Sequence, residues 1–164
     1  MKKIIYLPLA LLLIIAAACS SRTNGNQNTA EQTIPAKELF AVIQIKDTVR
    51  IGDPAELTFT VYNHTDTVAK FLKWQTPFEP LISKYLDVKN EAGEEMQYKG
   101  AMAKRMMPPP ADAYITLKPN DSLAVKADIS IGYALTKPGK YTVAYTSENV
   151  SGLKVADSVT FVYR

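Results

Sequence analysis

Glu56-Leu57-Thr58-Phe59-Thr60-Val61-Tyr62-Asn63 places Leu57, Phe59 and Val61 at every second position, with polar residues between most of them. Successive strand side chains point to opposite faces, so this spacing predicts a β-strand with one face toward a core. Working outward, Phe40–Ile45, Val68–Trp74, Tyr85–Lys89, Met96–Lys99, Ala113–Leu117, Leu123–Ile131, Lys140–Ser147 and Val155–Tyr163 read as further β runs. Turn-forming residues separate them: Gly52-Asp53-Pro54, Asn63-His64-Thr65-Asp66, Glu91-Ala92-Gly93, Pro119-Asn120-Asp121 and Pro138-Gly139. No window after Cys19 sustains a 3.6-residue period; Ala101–Met107 comes nearest. Many short alternating runs separated by turns predict an all-β domain, an immunoglobulin-like antiparallel β-sandwich of about seven to nine strands. Trp74, closing the third run, is expected to be buried. Tyr141, after Pro138-Gly139, is expected to act as a corner tyrosine at the start of a late strand.

The 164 residues contain one His and one Cys. A zinc site draws three or four ligands from His, Cys and carboxylates, and a hydrolytic triad needs a nucleophile, a base and an orienting group. Those chemistries are therefore disfavoured, and neither a cofactor nor a metal is expected. The formal net charge is +3, and no Lys/Arg cluster interleaves with aromatics, which argues against nucleic acid as a partner. The seven glycines are isolated turn residues, with no phosphate-binding loop among them.

The first 18 residues read as an address. Lys2 and Lys3 precede the apolar run Ile4–Ala18, and Ala16-Ala17-Ala18 abuts Cys19. This is the layout of a secretory signal peptide, and the run is shorter than the roughly 20 residues of a membrane span. The junction resembles a bacterial lipobox, with Ala16 where Leu is usual. That resemblance implies cleavage before Cys19 and acylation of Cys19, palmitate included. Loss of residues 1–18 removes Lys2 and Lys3, lowers the formal charge from +3 to +1, and leaves no free thiol. Residues 19–38 are polar and lack aromatics, and are expected to be a disordered tether. Residues 39–164 form the domain. Ser20, with no acidic run after it, resembles the sorting pattern of outer-membrane lipoproteins facing the periplasm.

Several residues invite a chemical role. His64 reads as a solvated turn residue, since no second His or carboxylate cluster accompanies it. Glu94-Glu95 reads as exposed hairpin charge rather than half of a glycosidase pair. Lys104-Arg105-Met106-Met107-Pro108-Pro109-Pro110 cannot join a sheet ladder, and favours an extended loop. Two readings stand for it: a semi-rigid recognition loop with adaptable Met contacts, or a stiffened connection between strands. The candidate binding residues are Trp74, Gln75, Thr76, Pro77 and Phe78 in one loop, and Lys104, Arg105, Met106, Met107 and Pro108 in the other; no catalytic residue is expected. Asp47-Thr48-Val49, Asp66-Thr67-Val68, Asp121-Ser122-Leu123 and Asp157-Ser158-Val159 repeat one pattern. It resembles an O-glycan acceptor motif of some Gram-negative bacteria, and fits turn-to-strand junctions equally well.

Five segments in register resemble a known family: Phe71–Glu79, Tyr98–Arg105, Tyr114–Leu123, Asp128–Ser130 with Tyr133, and Pro138–Val143. Over about Ala55–Tyr145 the chain resembles the N-terminal β-domain of peptidyl-Lys metalloendopeptidases, the deuterolysin-like zinc proteases. Those enzymes carry His-Glu-x-x-His in a following catalytic domain, and this sequence contains no such motif. The resemblance therefore implies a fold and a protease-binding habit without catalytic or metal residues. The strand order, Trp-containing loop and Pro-Gly-x-Tyr turn also resemble small bacterial proteinase-inhibitor sandwiches. The expected function is a non-enzymatic, lipid-anchored envelope module that binds a protein, in one version a protease. The alternative is a structural subunit of an envelope complex with no protease connection.

Overall fold

The computed structural model describes residues 37–164. The signal peptide expected at 1–18, the lipidation expected at Cys19 and the tether expected from there up to residue 36 lie outside the described residues. Among the described residues nine strands form: β1 (Leu39–Ile45), β2 (Thr48–Val49), β3 (Glu56–Asn63), β4 (Ala69–Leu72), β5 (Leu86–Asn90), β6 (Tyr114–Leu117), β7 (Ser122–Asp128), β8 (Gly139–Tyr145) and β9 (Val159–Tyr163).

The alternation in Glu56–Asn63 is realised as expected: Leu57, Phe59 and Val61 are fully buried, and the residues between them are not. β3 is the centre of a three-stranded antiparallel sheet in the order β1-β3-β7. The second sheet runs β2-β9-β8-β5, antiparallel except that β2 lies parallel to β9. A separate ribbon pairs β4 with β6. Apolar side chains from both sheets merge into one core, with Leu57, Phe59 and Val61 from the first, Val88, Val143 and Phe161 from the second, and Ile129 and Leu153 from connections. Each fully buried side chain of this size contributes about 1.5–3 kcal/mol. The architecture is the expected immunoglobulin-like β-sandwich. Its corner tyrosine is present too, since the Tyr141 hydroxyl donates to the Lys137 carbonyl at 2.7 Å.

Four local expectations are corrected. Met96–Lys99 is not a strand: the Met96 N–H reaches the Val88 carbonyl, but Lys99 turns away to the Gly132 carbonyl, so no regular ladder continues. Leu123–Ile131 stops as a strand at Asp128, whose carboxylate accepts the Ser130 N–H and hydroxyl at 3.0 and 2.6 Å and so winds Ile129–Ile131 into a 3₁₀ turn. Val68–Trp74 narrows to Ala69–Leu72, which places Trp74 in the following turn. Val155–Tyr163 begins as a strand only at Val159, and the short β2 lies in a run too brief to show a period. Among the described residues the one α-helical turn, α1 (Glu148–Ser151), closes against Gly152 in the left-handed conformation.

Candidate functional site

The loop after β4 is built inward. Trp74 is only 8% exposed, in a small cluster with Leu72 and Ala113 against Tyr114 and Val150. Gln75 takes a left-handed φ of 56°, which holds its carbonyl toward the second sheet, where the Tyr145 hydroxyl donates to it at 3.0 Å. The Ser147 hydroxyl donates to Gln75 Oε1 at 2.8 Å. Thr76 is fully buried: its hydroxyl donates to the Lys73 carbonyl at 2.6 Å and accepts the Phe78 N–H at 3.2 Å. Pro77 is buried, and the half-buried Phe78 packs its ring 5.3 Å from Phe71 and 6.2 Å from Phe59. Of the five candidates here, Trp74, Thr76 and Pro77 thus fix the shape of the loop and do not present their own surfaces.

The second candidate loop is the exposed part of a strap over 99–110 with no regular structure. It is held where the Lys99 and Ala103 N–H groups donate to the carbonyls of Gly132 and Ile82, each at 2.7 Å. Gly100 is required there, because a Cβ would collide with the Tyr98 hydroxyl and the Leu81 carbonyl. Lys104 and Pro108 are exposed, the Met107–Pro108 peptide is cis, and Met102, Met106 and Met107 are 71%, 85% and 76% exposed. One side chain of the strap turns inward. Arg105 lays its guanidinium 5.0 Å above the Trp74 ring and pairs with the carboxylate of Glu79. Glu79 Oε1 also accepts the Gln75 N–H at 2.9 Å, and its side chain is 6% exposed. Arg105 therefore brings the two loops together through one charge pair and one cation–π contact. Neither alternation nor composition pointed to Glu79. Its only trace in the sequence is an acid in a Pro-flanked turn, with its basic partner 26 positions later.

His64 sits at the end of β3, half-buried, with Phe40 and Tyr62 ring centroids 5.1 and 5.7 Å from its own, so it is packed more than the expected solvated turn residue. Among the described residues, no three His, Cys, Asp or Glu side chains stand close enough to hold a metal. Glu94 and Glu95 are exposed; Glu94 accepts from Asn90 Nδ2 at 2.7 Å, and Glu95 pairs with Lys84. Thr48, Thr67, Ser122 and Ser158 of the repeated Asp-Ser/Thr pattern are all exposed, at or just before strands. Two buried phenols mark the core beneath the strap. The Tyr133 hydroxyl donates to the Leu86 carbonyl at 2.8 Å and accepts the Leu86 N–H at 3.2 Å, whereas the Tyr85 hydroxyl has no partner among the described residues. Burial raises the pKa of both, and pushes Tyr145 up to about 12 against the relief of its bond to Ser151.

The model of the immunoglobulin-like domain family matches residues 42–149, a span that takes in eight-residue β3, both candidate loops and the corner tyrosine. The chain belongs to this immunoglobulin-like domain family. It is 31% identical over 102 residues to an extracellular protease of Aeromonas hydrophila, covering 60% of this chain and 28% of that protein. It is 28% identical over 123 residues to an uncharacterized secreted protein of Arthroderma benhamiae, covering 71% and 63%. The chain thus spans less than two thirds of the length of either relative. Among solved structures it is similar to a CARDB domain from Pyrococcus furiosus, at 13% identity and a TM-score of 0.37, over 77% of this chain and 88% of that one. Its relatives are secreted or extracellular proteins, and among the described residues no helix is long and apolar enough to cross a membrane.

Proposed function

We propose that this immunoglobulin-like domain is a non-catalytic binding module, held at a bacterial cell envelope by lipidated Cys19, whose partner is a protease. The observation that carries the reading is Arg105. It fastens the strap to the rigid 74–79 loop and leaves Met102, Met106 and Met107 in solvent, a large apolar exposure that a folded domain otherwise avoids. Methionines adapt to an irregular partner surface, while the fastening lowers the entropy lost when that partner docks. The strap and its support contain Lys99, Lys104 and Arg105 but only Glu79 as a buried counter-charge, so the exposed face is basic and apolar. The protease partner is suggested by the similarity to the Aeromonas extracellular protease, and by the resemblance to the β-domain of peptidyl-Lys metalloendopeptidases. The apolar run before Cys19 and the polar segment after it support the anchor.

The test uses the purified chain with a secreted zinc metalloprotease of the same cells. Capture of the protease, lost by at least about tenfold on Met106→Asp with Met107→Asp, is the expected result. No capture and no change in proteolysis contradicts the protease reading. Palmitate label that enters the chain and disappears in Cys19→Ser tests the anchor independently of the partner.

A further inference from the structure

β7 ends the three-stranded sheet, and among the described residues no backbone hydrogen bond leads from Leu123–Ala127 to any strand other than β3. The direction of its backbone groups follows from its two ends. The Asn63 N–H donates to the Asp121 carbonyl, and the Ile129 N–H donates to the Ala55 carbonyl, so 121 and 129 are hydrogen-bonded to β3. Antiparallel pairs alternate, so Leu123, Val125 and Ala127 also direct their backbone groups to β3, while Ala124 and Lys126 direct theirs outward. The Ser122 N–H, next in the outward series, is met by its own neighbour's Asp121 carboxylate at 2.9 Å.

An open edge is ordinarily guarded by a charged side chain, and Lys126 is the one available. Its ammonium is drawn back across the sheet to Glu56 at 2.7 Å, away from the edge. Beside the far end of β7 lies an open groove of about 500 Å³, with Phe78, Leu81, Ala127 and Ile131 in its lining beside the charged Glu79, Lys126 and Asp128, and Ile131 is 70% exposed. At the near end, Leu123 is 39% exposed although it lies in register with the buried Val61.

We infer that β7 is an interface between two copies of this chain, paired antiparallel about a two-fold axis through Val125. This register overlaps all seven residues and places Ala124 opposite Lys126, and Ser122 opposite Asp128, on the outer face. No like charges meet, whereas a two-fold through Lys126 would oppose two ammonium groups. The outward N–H and C=O groups of Ala124 bond those of Lys126 in the other copy. On the core-facing side, Leu123 of each copy falls opposite Ala127 of the other, where the groove opens. Knob and groove belong to the same chain and are exchanged, as a self-complementary two-fold contact requires. The result is one continuous six-stranded sheet.

The full chain carrying Cys19→Ser, in mild detergent, gives the test. Val125→Cys brings two thiols together at the axis, where a non-hydrogen-bonded pair has Cα atoms about 4.5 Å apart, within disulfide range. Oxidation is expected to yield a cross-linked dimer on a non-reducing gel. Ala124→Cys, which faces Lys126 of the other copy, is expected to cross-link much less. Ala124→Pro removes an amide with no partner among the described residues, so the domain keeps its thermal transition while cross-linking through Val125→Cys falls about tenfold. Equal cross-linking at 124 and 125, or cross-linking unaffected by Ala124→Pro, overturns the proposal. So does a purely monomeric mass for the unmutated residues 122–128 at about 100 μM chain by native mass spectrometry.

Discussion

Two tyrosines, Tyr85 and Tyr133, share the core yet differ in what their hydroxyls do. Tyr133 satisfies both hydrogen-bonding groups of Leu86 at the start of β5, so Tyr133→Phe leaves a buried N–H and C=O unmet and is expected to cost about 1–3 kcal/mol. Tyr85 buries a hydroxyl without a partner among the described residues, and Tyr85→Phe is expected to be neutral or stabilising in a urea titration. Both phenols, with Tyr145, ionise less readily in the fold than in the unfolded chain, because burial disfavours the phenolate. Above the ordinary tyrosine value of about 10 the unfolded chain releases these protons while the fold retains them. Their contribution is therefore complete below pH ~10 and is lost as pH rises toward about 12, where Tyr145 titrates in the fold. Urea midpoints between pH 8 and 11.5 are expected to fall over the upper part of that range, and to fall less in Tyr85→Phe. A flat profile contradicts the burial of these hydroxyls.

At the scale of elements, the strap owes its position to few interactions. Two backbone bonds hold its first half, and Arg105 holds its second, with the guanidinium between the Trp74 ring and Glu79. Arg105→Ala leaves the nearly buried Glu79 carboxylate unpaired and frees residues 104–110, which predicts a loss of about 1–3 kcal/mol and rapid proteolytic nicking beside Lys104. Glu79→Gln combined with Arg105→Met removes both charges and is expected to recover most of the stability but not the strap's order. Limited trypsin digestion separates these outcomes, since an uncut strap in Arg105→Ala denies it the fastening role. The expected non-sheet loop over 104–110 was readable because prolines lack a donor, whereas the ion pair was not, because its partners approach only after β4, β6 and the turns between them are in place. The same reason applies to Met96–Lys99: its alternation satisfied the strand pattern, but Lys99 found a carbonyl outside any ladder.

At the scale of the whole molecule, alternation around Leu57, Phe59 and Val61 carried the sandwich, because a period of two commits one face to a core whatever the neighbours are. The Pro138-Gly139 turn carried the corner tyrosine for a similarly local reason. The candidate site was legible by address only. Both loops were singled out, yet the inward aim of Trp74, Thr76 and Pro77 depends on hydrogen bonds from Tyr145 and Ser147 about 70 residues away. The molecule that results directs its strap away from the point where the chain arrives. Lys37 and β1 begin beside Asn63, at one end of the sheet, while Ile129–Gly132, which hold the strap at Lys99, follow the opposite end of β7. Seven residues of strand place those ends about 20 Å apart. On the proposed reading, the exposed methionines of the strap are the face that meets the partner. Hydrogen exchange by mass spectrometry on the chain, with and without the secreted metalloprotease, tests this most directly. Slowed exchange confined to residues 99–110 and the neighbouring 74–80 loop on adding protease is the predicted result; unchanged exchange there, or protection only at the end beside Asn63, contradicts it.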